Sequence, residues 1–125
     1  MLGYTTIGTK NLEKSTVFYD ELLTMVGGKQ LMGLDRIKFY GTEQGGAMLA
    51  VCTPFDEGEQ SCGNGQMVAI PGGSREGVDA LYNKAIELGA TDAGAPGDRN
   101  SFFYGAYLHD LDGNKLCFYD MKPTG

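Results

Sequence analysis

Residues 102–119, FFYGAYLHDLDGNKLCFY, constrain the fold more than any other stretch of the chain. Two aromatic-rich apolar runs, 102–108 and 116–119, flank Asp110-Leu111-Asp112-Gly113-Asn114. Asp, Gly and Asn supply the side-chain caps and positive φ angles that a tight turn requires, so the stretch predicts a β-hairpin. Both arms carry large side chains at successive positions. Such a hairpin belongs in the middle of a sheet, with one face packed and the other lining a pocket.

The rest of the chain is read in order from its punctuation. Residues 4–9 are β-branched and strand-like, and Asn11 follows as a helix N-cap. Leu12, Phe18, Tyr19, Leu22, Leu23, Met25 and Val26 then cluster on one helical face until Gly27-Gly28 stops the run. Short strands are predicted at 29–34, 36–40 and 47–52, and residues 53–65 read as a polar linker. The pattern then restarts. A strand at 66–70 and a turn at Pro71-Gly72-Gly73 lead to Ser74 as the next N-cap, with Val78, Leu81, Tyr82, Ala85 and Leu88 at helical spacing before Gly89. Residues 90–101 hold glycines and Pro96, so any strand there is short or at an edge.

Both halves therefore read β-α-β-β-β. A shift of 63 carries Ile7 onto Ile70, Asn11 onto Ser74 and Tyr19 onto Tyr82; a shift of 67 carries Tyr40 onto Tyr107, Gly46 onto Gly113 and Leu49 onto Leu116. Caps, helix faces and turns recurring in one order indicate an internal duplication.

A length of 125 residues with 42% hydrophobic content suits one domain, residues 1–125, with module one about 1–53, a linker about 54–64 and module two about 65–125. The start has no signal-peptide pattern and no apolar run reaches a membrane span, so a cytoplasmic protein is expected, with no membrane partner. Three cysteines, Cys52, Cys62 and Cys117, without CxxC spacing fit reduced thiols. A net charge of −6 and no basic stripe argue against nucleic acid as a partner and leave small molecules.

Asn11-Leu12-Glu13-Lys14 running into Phe18-Tyr19 and Leu22-Leu23, then Gly27, and finally Asp110-Leu111-Asp112-Gly113-Asn114-Lys115 carry a resemblance to a known family. The sequence resembles the glyoxalase, bleomycin-resistance and extradiol-dioxygenase superfamily, also called the vicinal oxygen chelate fold, over nearly its whole length. Leu111 stands where that family's DPDGNK turn has proline. The resemblance implies an α+β fold of two βαβββ modules forming a curved mixed β-sheet cleft with the helices outside, often completed by dimerisation, and a homodimer is expected.

The resemblance also implies where a metal would be held: the first and fourth strands of each module, here Tyr4, roughly Ala50, Met67 and Cys117. No Asp, Glu or His occurs in 47–52 or 65–70, so two of those positions lack a hard-metal donor in any local register. The expectation is a protein without the family metal, with no cofactor and no assigned catalytic residue. It binds a small organic molecule in a sheet-lined cleft, with Tyr4, Met67, Tyr107 and Cys117 as ligand-binding residues. The alternatives are a metal-dependent lyase or dioxygenase of this superfamily, using a shifted metal site or an acid–base pair of His109 with Tyr107, and a bleomycin-type drug-binding resistance protein.

Other chemistry-bearing residues are read more simply. His109 is the single histidine, and it reads as a surface residue beside the turn rather than as a general base. Tyr107-Leu108-His109-Asp110 matches the tyrosine-to-turn spacing of the extradiol signature but lacks its histidine and glutamate. Cys117 reads as inert packing, because the sequence places no cation beside it. Arg36 and Lys38 alternate on a strand and could offer charge to an anion, or simply face solvent. Pro71-Gly72-Gly73-Ser74 is a turn and cap, and the acidic stretches 56–59 and 110–112 lack EF-hand spacing.

Overall fold

A computed structural model describes residues 1–121; residues 122–125, the end of the expected second module, lie outside the described residues. Asn11 and Ser74 start the two helices for the same reason. Each holds an extended backbone while its side chain accepts a backbone N–H three residues on, Lys14 N at 3.1 Å and Gly77 N at 3.0 Å. The helices, α1 (Leu12–Thr24) and α2 (Arg75–Glu87), also stop alike. Gly27 (φ 78°) and Gly89 (φ 110°) turn the chain, and the next residue's N–H returns to the last turn, Gly28 to Leu23 O at 2.8 Å and Ala90 to Ala85 O at 2.9 Å.

Around α1 stand β1 (Tyr4–Gly8), β2 (Lys29–Leu34), β3 (Ile37–Gly41) and β4 (Met48–Cys52); around α2 stand β5 (Val68–Pro71), β6 (Thr91–Asn100), β7 (Phe103–His109) and β8 (Lys115–Met121). The expected α+β class and βαβββ modules are found. Each module has its own four-stranded mixed sheet, ordered β1-β4-β3-β2 and β5-β8-β7-β6. β1 runs parallel to β4 and β5 to β8, and the other pairs are antiparallel.

The ladders carry the duplication down to single residues. Thr6 faces Ala50 in the first sheet and Ala69 faces Cys117 in the second, the same pair under the sequence shifts of 63 and 67. The chain divides into compact units at Cys62 and Gly63. Residues 53–60 pack back onto the first unit instead of running free. Thr53 N–H bonds Arg36 O at 3.0 Å, and Gln60 is buried against Gly8, where an added Cβ would come within 2.9 Å of its Cγ.

Each helix covers one face of its own sheet. Phe18, Tyr19, Leu22 and Leu23 of α1 are buried with Ile7, Leu49 and Val51, and Val78, Leu81 and Ala85 of α2 with Ala106, Leu108, Leu116 and Phe118. Val17 and Met25, on the far sides of their turns, stay exposed. Tyr40 ties β3 to α1: its hydroxyl donates to Asp20 Oδ1 at 2.9 Å. Among the described residues, no helix is long and apolar enough to cross a membrane.

The edge strand β6 is longer than its composition suggests, at ten residues. It achieves this with register shifts at Asp92/Gly94, Gly94/Gly97 and Asp98/Asn100. Pro96, which has no N–H to give, falls inside one of these shifts. The hairpin of β7 and β8 is central in its sheet, as its two-sided aromatic pattern requires.

Two outcomes are expected from this architecture. Gly113 sits at φ 90° in the hairpin turn, whereas Gly58 is not at positive φ and an added Cβ would meet only the Asp56 carboxylate. Gly113→Val should therefore cost about 1–3 kcal/mol of backbone strain, well above the cost of Gly58→Val, and equal denaturation midpoints would contradict the turn geometry. Burial, and then the hydrogen bond to the Asp20 carboxylate, hold the Tyr40 phenol well above its ordinary value of 10.0. The folded state thus keeps a proton that the unfolded chain loses, so this stabilisation is complete below about pH 10 and is lost as pH rises through the raised value. Tyr40→Phe should lower stability at neutral pH by about 0.5–1.5 kcal/mol and flatten the alkaline decline; urea titrations on both sides of pH 10 read both effects.

Candidate ligand-binding face

Strand alternation decides which side chains are free for a ligand. In the second sheet Ala106, Leu108, Leu116 and Phe118 face α2 and are fully buried. Their neighbours Gly105, Tyr107 and His109 on β7, and Lys115, Cys117 and Tyr119 on β8, point to the helix-free side. The register pairs them as Gly105 with Tyr119, Tyr107 with Cys117 and His109 with Lys115. Tyr107 and Cys117 are therefore direct neighbours, with Ala69 of β5 on the other side of Cys117. Met67 lies one residue before β5 and is exposed. Phe103 stacks on Tyr119, ring centres 5.5 Å apart and planes within 7°.

Two cations converge on Tyr107. The Arg99 guanidinium carbon is 5.2 Å from the ring centre and Lys115 Nζ is 5.3 Å from it. Both also act on Cys117. Burial pushes that thiol up, while Arg99, Lys115 and a hydrogen bond from Tyr107 pull it down, and burial wins. The expectation that Cys117 has no cation beside it is corrected, but its reading as a packed thiol is not, since it is 1% exposed.

Lys115 was legible, because it lies two residues before Cys117 on the same strand. Arg99 was not. The bulges of β6 break the alternation that would have assigned its face.

His109 ends β7 between Thr91 and Lys115, and its side chain has no hydrogen-bonding or ionic partner among the described residues. No hydrogen bond joins it to Tyr107. Asp110 belongs to the turn: its Oδ1 accepts Asp112 N and Asn114 N, both at 2.9 Å, and its Oδ2 accepts Asn114 Nδ2 at 3.0 Å. The tyrosine-to-turn spacing noted in the sequence is thus a hairpin constraint.

The first sheet has a different helix-free face. Tyr4 meets Phe39 edge-on, ring centres 5.1 Å apart, and Ile37, Met48 and Ala50 share that side, with Met32 and Leu34 exposed on β2. Its side chains are mostly apolar, with Thr6 opposite Ala50 adding a hydroxyl. Arg36 and Lys38 do not reach this face. The Asp35-Arg36 turn leaves Arg36 outside β3, where it donates to Thr53 O at 2.7 Å and lies over the Phe55 ring at 5.2 Å. Lys38 stands opposite Val51, on the side from which Tyr40 reaches α1.

At the four positions where the resemblance implies metal ligands, Tyr4, Ala50, Met67 and Cys117, the residues present do not fit a metal. Ala50 is fully buried and has no donor atom, Met67 offers a thioether, and the Cys117 thiol is held protonated by burial. Among the described residues no group of three His, Cys, Asp or Glu side chains could hold a metal ion.

No protein-family model matches the chain, and no curated protein matches it. Solved structures do. A glyoxalase/bleomycin resistance protein from Albidiferax ferrireducens T118 is 31% identical with a TM-score of 0.88, over 98% of this chain and 99% of that one. The chain belongs to the glyoxalase/bleomycin resistance protein family. The same fold is found in a glyoxalase/bleomycin resistance protein/dioxygenase family enzyme from Burkholderia phytofirmans PsJN, at 20% identity and TM-score 0.77 over 96% and 98% of the two chains. It is found again in a glyoxalase-related enzyme from Fulvimarina pelagi, at 20% identity and TM-score 0.76 over 100% and 97%. Family membership accounts for the paired βαβββ modules and leaves function to the side chains on the helix-free faces.

Proposed function

We propose that this family member works as one domain that binds a small organic molecule in a sheet-lined cleft, without a metal. Met67, Tyr107 and Cys117 on the second sheet are its ligand-binding residues, and Tyr4 is the corresponding candidate on the first sheet's own helix-free face. The observation that carries this reading is the pairing of Tyr107 with Cys117 on the helix-free face of the second sheet, whose metal-equivalent positions, Met67 and Cys117, have thioether and thiol groups in place of hard donors. Such a surface offers shape, apolar contact and phenolic hydroxyls, which is what binding a small ligand needs and what metal-assisted chemistry does not. A cationic-drug site is disfavoured by Arg99 and Lys115, which put positive charge at Tyr107.

The test is a thermal-shift screen of small organic compounds on chelator-treated protein, followed by chemical-shift mapping of the hits. Hits should move Tyr107 and Cys117, and Tyr107→Phe, which keeps the packing ring, should weaken a polar hit by about 0.5–1.5 kcal/mol. Binding that appears only when a divalent metal is added back would overturn the metal-free reading.

A homodimer forms the second part of the proposal. Its support is the exposed apolar row of Met32 and Leu34 on the edge strand β2, half or more of each side chain being open at 50% and 57%. Light scattering at micromolar concentration should give twice the chain mass; a monomer mass would refute it.

A further inference from the structure

Three cations of this chain are paired with carboxylates among the described residues. Arg75 Nη2 is 2.6 Å from Asp98 Oδ1, Lys29 Nζ is 3.2 Å from Glu43, and Lys84 Nζ is 3.6 Å from Glu87. Arg99 and Lys115, like Arg36, form no ion pair among the described residues, although the chain carries a net charge of −6. What Arg99 and Lys115 share is a place: both charges lie near the one ring of Tyr107, reaching it from the strands on either side, and both act on Cys117. Two like charges near a single ring repel each other, and the ring quadrupole offsets only part of that repulsion. An anion placed against both would remove it.

The surroundings select the kind of anion. Arg99 Nη2 already donates to Ala95 O at 2.5 Å, which anchors the guanidinium and leaves its other N–H edge free for a planar acceptor. Ala69 and Tyr119 flank Cys117 and Gly105 on the same face and offer apolar surface to the rest of the molecule. The thiol of Cys117, kept neutral by burial, adds no opposing charge.

We propose that the helix-free face of the second sheet holds the carboxylate of a small organic acid against Arg99 and Lys115 beside Tyr107, with the acid's apolar body on Ala69 and Tyr119. The proposal rests on the small-ligand reading above and narrows it to one chemical class. It also gives roles to Arg99 and Lys115 as specificity-determining residues: they decide between an acid and its neutral analogue, while Tyr107 and Cys117 supply the surface.

Matched acids and primary amides separate the two levels. Benzoate with benzamide and hexanoate with hexanamide are titrated into the full chain and followed by amide chemical shifts, with inorganic phosphate as a further probe. The acids should perturb Arg99, Tyr107, Lys115 and Cys117 and bind at least about tenfold more tightly than the amides. Arg99→Gln and Lys115→Gln should each shrink that preference, whereas Arg75→Gln, which alters a cation already paired with Asp98, should leave it unchanged. Equal affinity of acid and amide at this face would overturn the charge assignment and leave the small-ligand reading intact. Phosphate binding as tightly as benzoate would overturn the choice of carboxylate. Acids that perturb only the region of Arg36 and Phe55, or no binding by either member of both pairs, would overturn the proposal, and the second result would remove the small-ligand reading with it.

Discussion

The pairing of β7 with β8 is the constraint on which the second unit depends, and one carboxylate fixes it. Asp110 gathers two backbone N–H groups and the Asn114 amide within the turn, while Asp110 N–H closes on Asn114 O at 2.9 Å. A side chain that binds its own loop at both oxygens leaves the hairpin a single register. A one-residue slip would turn Leu108, Leu116 and Phe118 away from α2 and put Tyr107 and Cys117 into the core. The geometry of the candidate site is thus inherited from a turn that touches no ligand. Asp110 and Asn114 are accordingly among the few buried polar residues of the chain.

The duplication explains why two sheets of so little sequence likeness are built alike. What is repeated is the punctuation: an N-cap, a glycine stop, and a parallel pairing of first and fourth strands in equivalent register. What is not repeated is the chemistry of the helix-free side. The first sheet carries Tyr4, Ile37, Phe39 and Met48 there, with no charge, and the second carries Arg99, Lys115 and His109 beside its aromatic rings. Packing against a helix preserves the residues on one face of a strand, and the alternate positions are left to diverge.

That division also sets what could be read from sequence. Helix caps, the hairpin and the equivalence of Ala50 with Cys117 rest on local or periodic signals, and the structure places them as those signals imply. Arg36 lies in the turn before β3 and Lys38 pairs with Val51 on the side of α1, so neither side chain is on the helix-free face. Arg99 needed the alternation to survive across β6. Gly94 and Pro96 interrupt it, and no periodic rule carries through two irregular pairings. Tertiary proximity between strands of separate register was the missing information in each case.

The soft side chains and the cations on the helix-free face of the second sheet are physically complementary. A divalent ion held by carboxylates would bring its own positive charge to this face, ready to polarise or neutralise an oxygen of a bound molecule. Met67 and Cys117 offer no hard donor for such an ion, so an anionic oxygen on this face would find its compensation in side chains. Arg99 and Lys115 can supply it without a coordination sphere, as point charges on flexible stems with Tyr107 beneath them. The difference bears on what the face can do. A metal activates what it binds, because it is a Lewis acid with open coordination positions; a guanidinium and an ammonium screen and orient an anion but leave its bonds unpolarised by comparison.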